Sequence, residues 1–247
     1  MRVSAPRTSL GRMHIILVPG LWLDASSWGD VSPALEAAGH RTHPLTMPGV
    51  GATGAESAGI GMADWVDATV AQLDALDGQV VLVGHSGGGN VAYGAVDARP
   101  DRVAHLVLLD TWPPGDGGTI SEFPVVDGVV PFPGWDFFDE SDVADLDPQT
   151  RADTAARAQS VPERVPTDPI RLSDERRRHV PTTIITGTVP AVKIREIIIA
   201  APDWAAELAA IERVDVIELG APGDATGHWP QFSRPGAVAE AILRAIE

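Results

Sequence analysis

The residues GHSGG at positions 84–88 form the segment of this sequence whose types and spacing best support chemistry. They follow an apolar run at 80–83 that reads as a strand and open a stretch at 88–99 that reads as a helix. A serine on so sharp a strand-to-helix turn has a strained backbone that exposes its hydroxyl, and small flanking residues let strand and helix approach. The helix N-terminus adds partial positive charge beside a developing oxyanion. The pattern predicts that Ser86 is a nucleophile.

A phosphate-binding turn is the alternative interpretation of these residues, because helix N-termini also bind anions. The turn contains neither a G-K-[ST] nor a G-x-G-x-x-G pattern. The strand before it and the helix after it match the context that a nucleophilic serine needs, so this interpretation is favoured.

The elements that must position Ser86 follow from short apolar runs that alternate with segments of helical periodicity. Fully apolar runs suit parallel strands buried on both faces of a sheet. Their alternation with helices predicts an α/β fold with a doubly wound, mostly parallel sheet. The predicted strands are 14–18, 42–46, 80–83, 105–109, 182–186 and 214–219, and the main predicted helices are 62–76, 88–99, 200–211 and 235–246.

The stretch at 113–180 interrupts this alternation. It holds no clean buried strand, and proline, aspartate and aromatic residues dominate its first half. An unstructured loop of that length is unusual in a compact domain, so an inserted helical lid is the better explanation. We therefore expect a core built from residues 13–112 and 181–247, a lid at 113–180 and a loose N-terminal tail at 1–12.

Composition restricts the function classes. The chain has 34 acidic and 18 basic residues, a net charge of −16, which disfavours nucleic acids and anionic membranes as partners. It has no cysteine, which excludes disulfides, thiolate nucleophiles and cysteine-bound zinc. Neither a signal-peptide pattern nor an apolar run of membrane-spanning length is visible, so a cytoplasmic location is expected.

Four segments together resemble the α/β-hydrolase superfamily, in its branch of small esterases and related cofactor-free enzymes. They are VPGLW (18–22), GHSGGG (84–89), LLD (108–110) and TGHWPQFSRP (226–235). The similarity covers nearly all of residues 13–247 and is weakest in the lid. It implies the α/β-hydrolase fold with an inserted helical lid, and it implies no metal and no organic cofactor.

The resemblance also assigns catalytic roles. Ser86 matches the nucleophile, and His228, in the loop after the last strand, matches the general base. Relatives often carry the triad acid after the strand that follows the lid, but residues 186–189 (TGTV) offer no carboxylate there. Asp110 ends the strand after the serine turn, an alternative position in the superfamily, and is the preferred acid. Asp224 ranks second, because it lies only four residues before His228.

The resemblance further implies an oxyanion hole formed by the backbone N–H groups of Leu21 and Gly87. Pro19 replaces the usual histidine of the first loop, which leaves a backbone donor intact. Several tryptophans lie near these elements or in the lid and are expected to wall an apolar pocket for a small carbonyl compound. They are Trp22, Trp112, Trp135 and Trp229.

Together these features imply a serine hydrolase that cleaves an ester, a lactone or a thioester through an acyl-enzyme. Two other classes stay open. A cofactor-free lyase or dioxygenase would use the same triad for proton abstraction, and oxygen uptake without ester turnover would identify the dioxygenase. A ligand-sensing receptor of the same fold would react only slowly with a label for the active-site serine. Its lid would become ordered when the ligand binds. A monomer or a homodimer is expected.

Overall fold

The computed structural model describes residues 11–220 and 226–247, so most of the expected tail at 1–12 lies outside the described residues. The strands are β1 (His14–Val18), β2 (Arg41–Pro44), β3 (Val80–His85), β4 (Val103–Leu109), β5 (Val129–Val130), β6 (Val161–Pro162), β7 (Thr182–Thr186) and β8 (Val214–Glu218). Six of them form a parallel central sheet with the strand order β2-β1-β3-β4-β7-β8. This confirms the predicted doubly wound, mostly parallel sheet.

Helices cover both faces of the sheet. Over the described residues they are α1 (Ser32–Ala37), α2 (Gly54–Ser57), α3 (Met62–Asp74), α4 (Gly87–Ala98), α5 (Glu140–Val143), α6 (Pro148–Arg157), α7 (Ala191–Ala200), α8 (Ala206–Ala210), α9 (Pro230–Ser233) and α10 (Pro235–Ile246). Single 3-10 turns lie at Ala25–Trp28, Pro100–Arg102, Trp135–Phe137, Glu175–His179 and Asp203–Ala205.

The core has two halves because side chains alternate along each central strand. Ile16 and Leu82 belong to the half covered by α3 and α4, whereas Ile15 and Val81 belong to the half covered by α1 and α10. Every residue of β3 is buried, as expected for a strand with helices on both faces.

The helix prediction for 200–211 is only partly correct. Helix α7 ends at Ala200, Ala201 adopts a left-handed conformation with φ 46°, and Pro202 follows. Because proline cannot continue a helical hydrogen-bond ladder, the chain restarts as a 3-10 turn followed by α8. Helix α7 itself was not among the sequence predictions.

The segment 113–180 is less helical than expected. It contains the short helices α5 and α6, two 3-10 turns and the antiparallel pair β5–β6, joined by irregular chain. Recurrent prolines explain why this segment contains little regular helix, since each proline removes a backbone hydrogen-bond donor and restricts the conformation of the residue before it. No further parallel strand lies in these residues, all of which the structure describes.

A buried ionic cluster anchors the end of this segment to the core. Arg177, only 3% exposed, bonds to Glu207 on α8 at 2.8 Å and to Asp97 on α4 at 3.2 Å. Tyr93 on α4 donates to the same Glu207 carboxylate at 2.5 Å. Burial alone would raise the pKa of Glu207, but the bonds from Arg178, Arg177 and Tyr93 lower it to about 2. The chain is therefore fixed where it re-enters the sheet.

The turn between β3 and α4 requires glycine for steric reasons. A Cβ at Gly84 would lie 2.6 Å from the carbonyl oxygen of Gly88, and a Cβ at Gly88 would overlap the carbonyl oxygens of Val18 and Pro19. Strand β3, helix α4 and the loop after β1 thus meet with backbone against backbone.

We predict that Gly88→Ala lowers the free energy of unfolding by about 3 kcal/mol, because the added methyl group must push rigid backbone apart. Gly236→Ala in α10 is the matched control, since a Cβ there meets nothing within 4 Å. It should leave stability unchanged or raise it by up to about 1 kcal/mol. Urea unfolding measures both, and equal effects of the two substitutions would contradict the packing described.

Candidate active site

Ser86 occupies the turn between β3 and α4 in a strained backbone conformation, with φ 51° and ψ −127°. Neighbouring backbone groups hold it there: its N–H donates to the carbonyl of Leu109 at 3.1 Å, and its carbonyl accepts from Gly89 at 2.8 Å. A non-glycine residue persists in such a conformation only where surrounding structure enforces it. This backbone conformation places the Ser86 hydroxyl at the carboxyl edge of the sheet.

The three side chains expected to act together lie in one chain of hydrogen bonds. The Ser86 hydroxyl is 2.8 Å from His228 Nε2, and His228 Nδ1 is 2.6 Å from Asp110 Oδ2. With a carboxylate beside Nδ1, that nitrogen carries the proton and Nε2 is free to accept from the serine. The backbone N–H of His228 donates to the carbonyl of Asp142 at 2.7 Å, which fixes the loop that carries the ring.

The Asp110 carboxylate is held by donors from the neighbouring strand end. Its Oδ1 accepts from the backbone N–H groups of Gly187 and Thr188 at 2.9 and 3.0 Å, and the Thr188 hydroxyl is 3.0 Å from both carboxylate oxygens. Burial by itself would raise the pKa of Asp110, but the bonds from His228, Gly187 and Thr188 hold it below its usual value. The carboxylate therefore stays ionised.

The sequence assigns no role to Thr188, which lies where relatives often carry the triad acid. In the structure it donates to the acid from the strand end where relatives often carry the acid itself. Asp224, the second-ranked acid, lies outside the described residues.

His85 holds the His228 loop from beneath. Its Nε2 donates to the carbonyl of His228 at 2.8 Å, and its Nδ1 accepts from the Gln231 side chain at 3.2 Å. Burial first, and the nearby His228 second, lower the pKa of His85 to about 3, so the ring is neutral. A single histidine beside a nucleophile carries no sequence signal for a contact with residue 228.

Leu21 and Gly87, the expected oxyanion donors, are neighbours beside Ser86. A Cβ added at Gly20 would lie 3.2 Å from Ser86 Cβ, and one added at Gly87 would lie 3.3 Å from Leu21 Cγ. The loop after β1 therefore packs directly on the serine turn.

The serine faces a cavity of about 230 Å³. Its apolar walls are Leu21, Trp22, Ile120, Phe123, Phe138 and Trp229. Three of these, Ile120, Phe123 and Phe138, come from the 113–180 segment and were not among the predicted pocket residues. The identity of such contacts depends on how irregular chain folds over the sheet, for which the sequence carries no periodic signal.

Two of the four predicted tryptophans, Trp22 and Trp229, line this cavity, and the other two do not. Trp112 turns toward Trp204, with 6.0 Å between ring centroids. Trp135 lies behind the wall: its ring packs edge-on against Trp229 at 5.0 Å, and its Nε1 donates to the carbonyl of Arg151 at 2.8 Å. Trp112 and Trp135 are therefore not among the residues that line this cavity.

The cavity is also less apolar than expected. Ser121 and Asp142 line it together with the aromatic rings. Burial is the main cause that raises the pKa of Asp142, while the nearby His228 opposes the rise. No motif in the sequence distinguishes Asp142 from the other carboxylates of its acidic segment.

Comparison with known proteins identifies the family. The model of the family described as "Alpha/beta hydrolase family" matches residues 15–241. The chain belongs to the α/β-hydrolase family. Among described residues, no helix is both long enough and apolar enough to cross a membrane.

Curated relatives of this α/β-hydrolase match over part of their length. Lipase LipV of Mycobacterium tuberculosis is 44% identical over 101 residues, which cover 35% of this chain and 37% of the lipase. Methylesterase 8 of Arabidopsis thaliana is 34% identical over 106 residues, 42% of this chain and 39% of the methylesterase. The chain thus spans less than half of the length of these two relatives.

Solved structures match over nearly the whole chain and support the fold. An extracellular α/β-hydrolase from a Paenibacillus species has a TM-score of 0.73 at 18% identity, covering 94% of this chain and 98% of that one. A methylesterase from Arabidopsis has a TM-score of 0.71 at 18% identity, covering 95% and 98%.

The buried neutral His85 predicts a pH effect on stability. Its pKa is about 3 in the folded protein against 6.5 for an ordinary histidine. Between these values the unfolded chain binds a proton that the folded protein does not, so His85 lowers the unfolding free energy as pH falls. His85→Gln should remove a component of about 1.4 kcal/mol per pH unit. Urea unfolding between pH 4.5 and 6 should give a steeper pH dependence for wild type, and parallel curves would refute the assignment.

Proposed function

We propose that this α/β-hydrolase is a serine hydrolase that cleaves the ester bond of a small, largely apolar molecule through an acyl-enzyme on Ser86. The observation that carries the proposal is the hydrogen-bonded chain from Ser86 through His228 to Asp110 at the wall of an aromatic cavity. Such a chain activates a hydroxyl that is otherwise a weak nucleophile at neutral pH.

Acylation begins when Ser86 Oγ attacks the ester carbonyl while His228 Nε2 accepts the hydroxyl proton. Asp110 fixes the tautomer and stabilises the imidazolium that forms. The C–O bond to the alcohol then breaks, and the imidazolium returns its proton to the leaving alkoxide. In deacylation His228 takes a proton from water, which attacks the acyl-enzyme, and the imidazolium protonates Ser86 Oγ as the acid departs.

Charge on the tetrahedral oxygen needs preorganised donors. We assign this role to the backbone N–H groups of Leu21 and Gly87, supported by the packing of the first loop on the serine turn. One such donor contributes about 3 kcal/mol to transition-state stabilisation in comparable sites. Both donors are backbone N–H groups. The presence of Pro19, where the family usually has histidine, therefore leaves them in place.

The segment 113–180 serves as the lid of the site, over a core of residues 13–112 and 181–247. Support comes from Ile120, Phe123 and Phe138, which close the cavity from this segment. A cavity of about 230 Å³ suits a short acyl or aryl group. Burying apolar substrate surface there contributes about 25 cal/mol per Å².

A cytoplasmic location is part of the proposal. The absence of cysteine fits a reducing compartment. One of the similar structures is described as extracellular, so fractionation of expressing cells is the direct test. Monomer or homodimer stays a prediction.

A fluorophosphonate label combined with a panel of 4-nitrophenyl esters tests the proposal. Wild type should be labelled once, at Ser86, and should hydrolyse acetyl to hexanoyl esters faster than anionic or very long ones. Ser86→Ala should lose both label and turnover. Asp110→Asn should fold normally and bind substrate as before, with kcat lowered about a thousandfold or more because the wrong histidine tautomer dominates.

Asp224→Asn is the control for the choice of acid and should retain most activity. The reverse pattern, with Asp224 essential and Asp110 dispensable, would show that the acid is misassigned. Undiminished labelling of Ser86→Ala would defeat the nucleophile assignment, and oxygen uptake without ester turnover would point to the dioxygenase alternative.

A further inference from the structure

One acidic residue is among the residues that line the cavity. Asp142, half-buried on α5, lines the space next to Ser86 and His228. Among residues 11–220 and 226–247, no hydrogen-bond donor and no cationic side chain pairs with its carboxylate. An unpaired carboxylate at the wall of a cavity favours a ligand that carries a positive charge.

The position of Asp142 is fixed by its backbone. Its carbonyl accepts the backbone N–H of His228 at 2.7 Å, and a Cβ on Gly227 would overlap that same carbonyl oxygen. The next residue, Val143, is buried beside Leu23, Leu146 and Trp229. The backbone of Asp142 is therefore fixed relative to the loop that carries His228.

Four aromatic residues line part of the same cavity and pack edge to face against one another. Trp22 lies 4.9 Å from Phe123 and 5.8 Å from Phe138 between ring centroids, and Phe138 lies 4.7 Å from Trp229. Ring faces attract cations, and quaternary ammonium groups bind well among several rings. The net charge of −16 adds a field that favours the approach of cations over anions.

We infer that the preferred ester carries an ammonium group, which Asp142 and the aromatic rings hold while Ser86 attacks the carbonyl. This inference rests on the proposed ester hydrolysis and adds its substrate class. Asp142 is then a specificity-determining residue, and it repels esters with an anionic group near the carbonyl. The aromatic walls still accept neutral esters, with lower efficiency.

A second role for Asp142 must be separated from this one. A carboxylate near His228 also stabilises the imidazolium, and that effect is the same for every substrate. Recognition of the substrate cation, in contrast, changes the ratio between a charged and an uncharged ester of the same shape. The test therefore compares substrates as well as variants.

The substrates are 4-nitrophenyl 4-(trimethylammonio)butanoate and its uncharged isostere, 4-nitrophenyl 5,5-dimethylhexanoate. At mildly alkaline pH, wild type should prefer the cationic ester in kcat/KM. Asp142→Asn should lower the ratio of cationic to neutral kcat/KM by about tenfold, mainly through the KM of the cationic ester. Glu140→Gln is the matched control: it removes one charge from the same helix at a side chain that is 80% exposed, and it should preserve the ratio.

An equal fall in kcat/KM for both esters in Asp142→Asn would overturn the inference and assign Asp142 to stabilisation of the imidazolium. A wild-type preference for the neutral ester would also overturn the inference. Absence of any ester hydrolysis would sink the proposed function instead. Calorimetric titration of butyltrimethylammonium into Ser86→Ala decides the binding question in that event. The cation should bind about tenfold more weakly once Asp142→Asn is added, and equal binding to both proteins would overturn the inference.

Discussion

The close approach of backbone at the turn after β3 is the constraint on which the rest of this site depends. Gly84 and Gly88 let strand, helix and first loop meet at distances that exclude any Cβ. Ser86 adopts its strained conformation at this contact, and Leu21 and Gly87 pack together next to it. The strained backbone of Ser86 costs conformational free energy. The packing around the fully buried strand β3 and the hydrogen bonds of the turn offset that cost.

The order of the strands then supplies the remaining groups. Because β3 and β7 both flank β4, the residues that follow all three strands meet at the same carboxyl edge. Asp110 after β4 receives the N–H groups of Gly187 and Thr188 after β7, so neighbouring strand ends share one acid and its donors. The loop after the last strand brings His228 over this edge. A parallel sheet thereby assembles, from segments distant in sequence, groups that must lie within 3 Å of one another.

The sequence predicted those parts of the site that strand ends determine. Ser86 and Asp110 each follow a buried strand, His228 lies in the loop after the last strand, and the resemblance to α/β-hydrolases, with its chain order, assigned Asp110 and His228 their roles. The contacts of His85 and Asp142 were not predictable, because they arise where loops from separate regions meet and no periodicity records them. The positions of Trp112 and Trp135 could not be predicted for the same reason. Irregular, proline-rich chain has no periodic pattern that indicates which side chains face a cavity. Helix α7 was missed, and a proline divided the helix predicted after it.

Mass spectrometry of the protein after an acid quench during turnover of 4-nitrophenyl hexanoate tests the central claim most directly. Ser86 is predicted to carry the hexanoyl group, because an activated ester acylates faster than water removes the acyl group. Peptide mapping should place the added mass on the peptide that contains Ser86, and the acyl adduct should disappear in Ser86→Ala. Turnover by wild type with no acylated Ser86 peptide, or with the acyl group on another residue, would contradict covalent catalysis by this serine.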